Sequence, residues 1–300
     1  MAKKNIGFVG LGKIGSKMAM RLLKAGFPLS VFDLSSEALL EFKKLGARIA
    51  ASSSDVAKDV DILIIMVVDF AQTKEVLFGA EGAVLGLRKG AIVACMSTIA
   101  PSEIRQVATR LAEHGIRTLD APVSRGVKGA EEGTLTIMAG ATPSVREDTE
   151  EVLTVMGKKI FWVGEVGNGQ ILKMMNQLLC SVELVSISEA LVLGAKAGID
   201  GQTLFDVTRE TSGNSEMFIG KVPKIIAGDF SSGGDLDIHV KDLSIVTQTG
   251  RELGVPMILT NVAREIFRTA QAMGKGQLDS CGVITVLEDI VGVRPRKPTS

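Results

Sequence analysis

Residues 5–15, NIGFVGLGKIG, set a short apolar run directly against a glycine-rich hexapeptide. Ile6–Gly10 reads as a buried strand, and a helical period takes over from Ile14 to Ala25. Between them Gly10, Gly12 and Gly15 stand in G-x-G-x-x-G spacing. The first glycine permits the tight turn, the second lets the backbone approach a pyrophosphate, and the third lets helix and strand pack closely. The unpaired N–H groups of the helix start then favour an anion. Such a hexapeptide is weak alone; its setting strengthens it. Leu29–Asp33 reads as the next strand, and Asp33 ends it roughly 20 residues past Gly12, where a carboxylate meets the ribose hydroxyls of a dinucleotide. The residues after it, Leu34-Ser35-Ser36, offer no cation for a 2′-phosphate, so NAD(H) is the expected cofactor.

The same alternation continues outward from this unit. Strands are expected at Asp61–Val68, Ala91–Met96, Arg117–Ala121, Leu135–Ala139 and Lys159–Val163. Helical segments fall at Ser36–Leu45, Ala71–Leu77, Pro101–Glu113 and Ser144–Met156. The run DILIIMVV (61–68) has no polar side to turn to water after its first residue, as in a parallel sheet covered on both faces. The expected fold class is therefore α/β, a doubly wound parallel (Rossmann) sheet, over residues 1–164. After Gly164 strands cease. Helices are expected at Gly169–Ala197, Gln202–Thr211, Glu216–Ala227, Leu236–Leu253, Pro256–Met273 and Ser280–Ile290, with Pro256 in a first helical turn. These form an all-α C-terminal domain over 165–293, and the tail VRPRKPTS is expected to be mobile.

Composition bounds the function. Lys plus Arg and Asp plus Glu are 34 each, which excludes the basic excess of a nucleic-acid or anionic-membrane binder. Cys95, Cys180 and Cys281 are far apart and fit reduced thiols better than a disulfide framework or a metal site. No run of 18 consecutive apolar residues is present, and MAKKNIGFVG is not a signal peptide, so a cytoplasmic protein is expected. The helix over 169–197 is too apolar for a lone solvent-facing helix, and a homodimer or homotetramer is expected.

Four blocks, GFVGLGKIGSKMA (7–19), DAPVSRGVKGAEEGTLTIMAG (120–140), GNGQILKMMNQLL (167–179) and VKDLSIV (240–246), resemble the β-hydroxyacid dehydrogenases in order, spacing and content. That group includes 3-hydroxyisobutyrate, tartronate-semialdehyde and threonate dehydrogenases. The resemblance spans nearly the whole chain. GNSEMF (213–218) with VKDL looks like threonate dehydrogenases, and VKGAEEGTLTIMAGA like 2-(hydroxymethyl)glutarate dehydrogenase. It implies that Lys173 is catalytic, and that Ser124, Arg125, Gly126, Asn176 and Cys180 contact the substrate, a small anionic aldehyde or hydroxy acid. It also implies that Lys13, Ile14, Val67, Thr98 and Lys241 join Gly10, Gly12, Gly15 and Asp33 at the cofactor.

The residue types fit that chemistry. A lysine ammonium can protonate a developing alkoxide, and neutral lysine can take the proton back; its reference pKa of about 10.4 must fall for both directions to run near neutrality. Asn176 lies on the same helix face, three residues on. Arg125 departs from the family's usual Ser-Gly-Gly. It resembles the arginine that 3-sulfolactaldehyde reductases carry for a sulfonate, and its charged fork would grip a strong or second anion. The favoured substrate is 3-sulfolactaldehyde. Tartronate semialdehyde, 3-hydroxyisobutyrate, threonate and 2-formylglutarate remain open, as does a non-catalytic NAD-binding scaffold. Lys173 counts against the scaffold and against an imine reductase. His114 and His239 lack metal-ligand spacing, and Trp162 reads as strand packing.

Overall fold

Apolar side chains on both faces of the strands build the first half of the chain. The computed structural model describes residues 3–231 and 233–296. Strands β1 (Ile6–Val9), β2 (Leu29–Phe32), β3 (Arg48–Ile49), β4 (Ile62–Ile65), β5 (Ile92–Cys95) and β6 (Arg117–Asp120) form one parallel sheet in the order β3-β2-β1-β4-β5-β6. Helices α1 (Gly15–Lys24), α2 (Ser36–Lys44), α3 (Ser53–Val56), α4 (Phe70–Phe78) and α5 (Pro101–Glu113) connect the strands. Ile62 and Ile64 point into one core with Phe8, Met18 and Leu22. Leu63 and Ile65 point into a second core with Ile104, Val107 and Leu111. The double burial expected for DILIIMVV is thus realised, and each such side chain contributes roughly 1.5–3 kcal/mol.

The strands expected at Leu135–Ala139 and Lys159–Val163 leave that sheet. With β7 (Val123–Ser124), strands β8 (Leu135–Ala139) and β9 (Gly157–Trp162) form a separate sheet in the order β7-β8-β9, with β7 antiparallel to β8. Helices α6 (Gly126–Glu132) and α7 (Pro143–Met156) border it and pack on α1. Strand β7 and helix α6 are too short to produce a hydrophobic period, and no sequence pattern announces them.

Helix α8 (Asn168–Lys196) follows, then α9 (Gly201–Thr208), α10 (Glu216–Ala227), α11 (Leu236–Glu252), α12 (Ile258–Ala272) and α13 (Ile284–Val291). The chain forms two compact units, Met1–Lys173 and Met174–Ser300, and Asp120, which holds the backbone of Gly167 and Gln170, ties the first turn of α8 to the first of them. The second unit has its own core of Leu184, Leu191, Phe218, Leu243, Phe267 and Ile284. Helix α8 is long and apolar enough to cross a membrane by length and composition alone, but Leu184 and Leu191 are spent on this core.

Pro256 does not open a helix. The N–H of Val255 closes back on the Gly250 carbonyl at 2.8 Å, and α12 starts only after Met257. Arg296, expected in a mobile tail, pairs with the buried Glu288; residues 297–300 of that tail lie outside the described ones.

Candidate active site

The loops that leave β1, β2, β4 and β5 gather at one edge of the parallel sheet, and the strand order reverses between β1 and β4. That is where open α/β sheets bind ligands. Gly10 turns out of β1 with φ +95°, and a Cβ there would strike the Met66 carbonyl. A Cβ on Gly15 would strike the Gly10 carbonyl, so this glycine lets helix and turn close together. Gly12 differs: its Cβ position meets nothing within 4 Å. Two glycines are therefore required by packing and the third faces open space, the pattern expected if a ligand uses the room. Asp33 is held rigidly, with Oδ2 accepting from the Leu11 N–H at 2.6 Å and Oδ1 from the Ser35 N–H at 2.7 Å. Each oxygen keeps a further lone pair for a hydroxyl. Lys13 is exposed and Ile14 half-buried at the start of α1. Val67, half-buried, donates its N–H to Ser97 Oγ at 2.9 Å, which links the loop after β4 to the loop that carries Thr98. These residues fit a dinucleotide.

Lys173 lies in α8 and is only 8 % exposed, the one lysine or arginine among the buried described residues. A solvated surface lysine is ruled out at this position. The turn before it carries a network that the sequence did not announce. Asp120, at the end of β6, and Gln170 are both fully buried. Asp120 Oδ2 accepts from the N–H of Gly167 at 2.8 Å and of Gln170 at 3.2 Å, and Oδ1 accepts from Gln170 Nε2 at 2.9 Å. Gln170 Nε2 also donates to the Ser97 carbonyl at 3.0 Å, while Oε1 accepts from the Ile99 N–H at 3.1 Å. Burial pushes the Asp120 carboxyl up to about 6, although the N–H groups of Gly167 and Gln170 pull the other way.

Ser124 ends β7, half-buried, and Arg125 follows with φ +89° and ψ 9°, a left-handed conformation natural to glycine. Arg125 is exposed, and among the described residues its guanidinium has no hydrogen bond or ion pair. Gly126 begins α6 with φ +61°. A Cβ on Gly129 would sit 2.7 Å from Arg125 Cβ, so this glycine makes room for the arginine stem.

The second unit carries the other expected residues. Asn176 Nδ2 donates to Gln177 Oε1 at 3.1 Å, and Gln177 Nε2 donates to Asp242 Oδ2 at 2.6 Å. Lys241 Nζ lies 3.0 Å from Asp242 Oδ1, so Asp242 and Gln177 bring Asn176 and Lys241 into one network. Cys180 is half-buried and His239 stacks on Phe267, with Nδ1 2.8 Å from Ser181 Oγ. Trp162 packs against the first core, as expected of a strand residue. Asp120, Ser97, Gln170, Gln177 and Asp242 were missed; Asp120, Gln170, Gln177 and Asp242 had only their place inside the quoted blocks as a signal, and Ser97 only its place next to Thr98.

Comparison with known proteins agrees with this arrangement. Residues 5–164 match the NAD binding domain of 6-phosphogluconate dehydrogenase, and residues 167–287 match the NAD-binding domain of NADP-dependent 3-hydroxyisobutyrate dehydrogenase. A 2-(hydroxymethyl)glutarate dehydrogenase of Eubacterium barkeri is 39% identical over 96% of this chain and 96% of its own. This chain belongs to the β-hydroxyacid dehydrogenase family. An L-threonate dehydrogenase of Cupriavidus necator is 36% identical over 96% of this chain and 97% of its own. The crystal structure of 3-hydroxyisobutyrate dehydrogenase from Salmonella typhimurium superposes with a TM-score of 0.87 at 33% identity, covering 95% of this chain and 100% of that one. This β-hydroxyacid dehydrogenase is an NAD-dependent oxidoreductase acting on a CH–OH group, and its relatives act on small hydroxy acids.

Proposed function

We propose that this β-hydroxyacid dehydrogenase interconverts a short aldehyde carrying a strong anionic group and the corresponding alcohol, with 3-sulfolactaldehyde and 2,3-dihydroxypropane-1-sulfonate as the pair. The burial of Lys173 carries the reading, since it sets aside a solvated helix lysine at the position that the family resemblance makes catalytic. NADH, when bound, supplies the hydride. Lys173 Nζ gives a proton to the carbonyl oxygen as it becomes an alkoxide, and in the reverse direction it takes that proton back. Asp33, with no cation in the Leu34-Ser35-Ser36 that follow it, favours NAD(H) over its phosphorylated form. Arg125 takes the anionic head through its planar donor fork, supported by Ser124 and Gly126. Contacts of Asn176 and Cys180 with substrate and of Lys241 with cofactor follow from the family resemblance.

The exposed left-handed Arg125 supports a head group that needs a full cation, which a sulfonate does. A dicarboxylic semialdehyde is the second reading, favoured by the 39% identical 2-(hydroxymethyl)glutarate dehydrogenase. Exposed Leu172, Met175 and Leu179 on α8, three and four residues apart, with Ile258, Leu259 and Val262 on α12, support a homodimer or homotetramer. Three free thiols support a cytoplasmic location.

NADH oxidation with matched sulfonate and carboxylate aldehydes tests the substrate. Lys173→Ala should lower kcat by about a hundredfold or more while NADH still binds. Retained turnover would remove Lys173 from the chemistry. A kcat/KM higher for the carboxylate than for the sulfonate would replace the proposed pair.

A further inference from the structure

Gln170 is an amide whose orientation is not its own to choose. The Ile99 N–H can only donate and the Ser97 carbonyl can only accept, so Oε1 must face Ile99 and Nε2 must face Ser97, at 3.1 and 3.0 Å. Nε2 then meets Asp120 Oδ1 at 2.9 Å, and position 120 must present an acceptor there. The other oxygen of Asp120 takes two backbone N–H groups from the start of α8. Ser97 Oγ accepts from the Val67 N–H at 2.9 Å, which brings the loop after β4 into the same chain of bonds. Lys173 stands three residues beyond Gln170, one turn along α8. The loops after β4 and β5 and the first turn of the helix that carries Lys173 therefore share a single anchor.

We propose that Asp120 is a positioning residue of the reaction: acting through Gln170, it fixes Lys173 relative to the loops at 67–68 and 97–99. The inference rests on Lys173 being the proton donor. A purely structural plug at this place would be cheaper as a neutral group, because burial pushes this carboxyl up to about 6. The surrounding backbone also closes on it, for a Cβ on Gly169 would come within 2.9 Å of Asp120 Oδ2 and one on Gly140 within 3.4 Å. An asparagine at 120 fits the space. It can keep its oxygen toward the two N–H groups only by turning its NH2 against that of Gln170.

The test uses the NADH-loaded enzyme with its best aldehyde and three variants, Asp120→Asn, Gln170→Met and Lys173→Ala. The first two should lower kcat by about tenfold to a hundredfold, the cost of a small misplacement. The KM for aldehyde should stay within about threefold of wild type, and the NADH dissociation constant, read by NADH fluorescence, should rise far less than in Gly12→Ala, since the glycine turn and Asp33 lie outside this network and only the Val67 and Thr98 loops within it can loosen. Amide hydrogen exchange should quicken at 97–99 and 167–173 and stay unchanged at 10–15. An unchanged kcat in either folded variant overturns the proposal. So does a loss in KM and NADH binding with faster exchange across the whole first unit, which marks a packing role. Should Asp120→Asn fail to fold, Gln170→Met decides, because it leaves both backbone bonds of Asp120 in place. Lys173→Ala separates the two readings. If it alone lowers kcat, the positioning role falls and the proton donor stands; if it keeps kcat, the proton donor falls and this inference with it.

Discussion

Arg125→Gly should move stability and substrate binding in opposite directions. An L-residue held at φ +89° in the left-handed region costs about 1–2 kcal/mol, and glycine removes that cost. Glycine in turn loses about 0.5–1 kcal/mol more backbone entropy on folding, so the net gain is about 0.5–1 kcal/mol. For a unit of this size that raises Tm by roughly 1–4 °C. The guanidinium has no partner among the described residues, so its removal leaves nothing unpaired in the free enzyme. A charge-assisted bond to a bound anion contributes about 1.5–3 kcal/mol, and its loss should raise KM for the true substrate about 10- to 150-fold. Calorimetry gives the first quantity and steady-state NADH oxidation the second. Arg125→Ala separates the causes, since it keeps the unfavourable backbone and loses the charge: Tm should not rise, and KM should rise as far as in the glycine variant. An unchanged KM in both variants would refute the assignment and return Arg125 to the surface.

The glycine turn offers a second contrast. Gly15→Ala should lower stability and NADH affinity together, because its Cβ strikes the Gly10 carbonyl, whereas Gly12→Ala should leave Tm unchanged and weaken NADH about tenfold or more, read by melting and by fluorescence titration. Gly129→Ala should destabilise the wild type through the 2.7 Å approach to Arg125 Cβ and become neutral or stabilising in the Arg125→Gly background, where the next neighbour, Leu135 Cδ2, lies at 3.4 Å; a double-mutant cycle in urea measures the coupling. Asp120 gives a pH dependence. Burial raises its folded pKa from 3.8 to about 6, so the folded state holds the proton more tightly than the unfolded chain. Its favourable contribution is complete below 3.8 and is lost as pH rises through about 6. The stability of wild type relative to Asp120→Asn should fall by about 2 kcal/mol between about pH 4.5 and about pH 7.5, and a flat difference across that window would remove the shift.

Much of this molecule is readable from its residues because the decisive signals are local. The glycine spacing, Asp33 at the end of β2 and the unbroken apolar face pair of β4 each lie within a few positions, and the structure places them as expected. The partition into two sheets was not readable, since apolar β8 and β9 look like any buried strand and only the chain path between β6 and β7 diverts them. Lys173 needed the family blocks, because a lysine on a helix is ordinarily solvated and its burial depends on tertiary packing. Asp120 and Gln170 were invisible for a similar reason. They are separated by 50 positions, and neither residue type nor period signals a contact at that distance. Arg125 carried a partial signal in departing from the Ser-Gly-Gly that the family resemblance implies; the backbone angle that gives the departure its meaning lies in the coordinates.

The partners that orient the Gln170 amide on the β5 side are main-chain atoms of Ser97 and Ile99, which every amino acid possesses. No codon change can reverse their polarity. Whatever side chains descent tries at 170 and 120 must satisfy one fixed donor and one fixed acceptor, so neither position can drift alone without a mismatch at the other. Arg125 stands on a separate loop outside that constraint, so a substrate preference set there, as proposed, can diversify while the buried pair stays fixed.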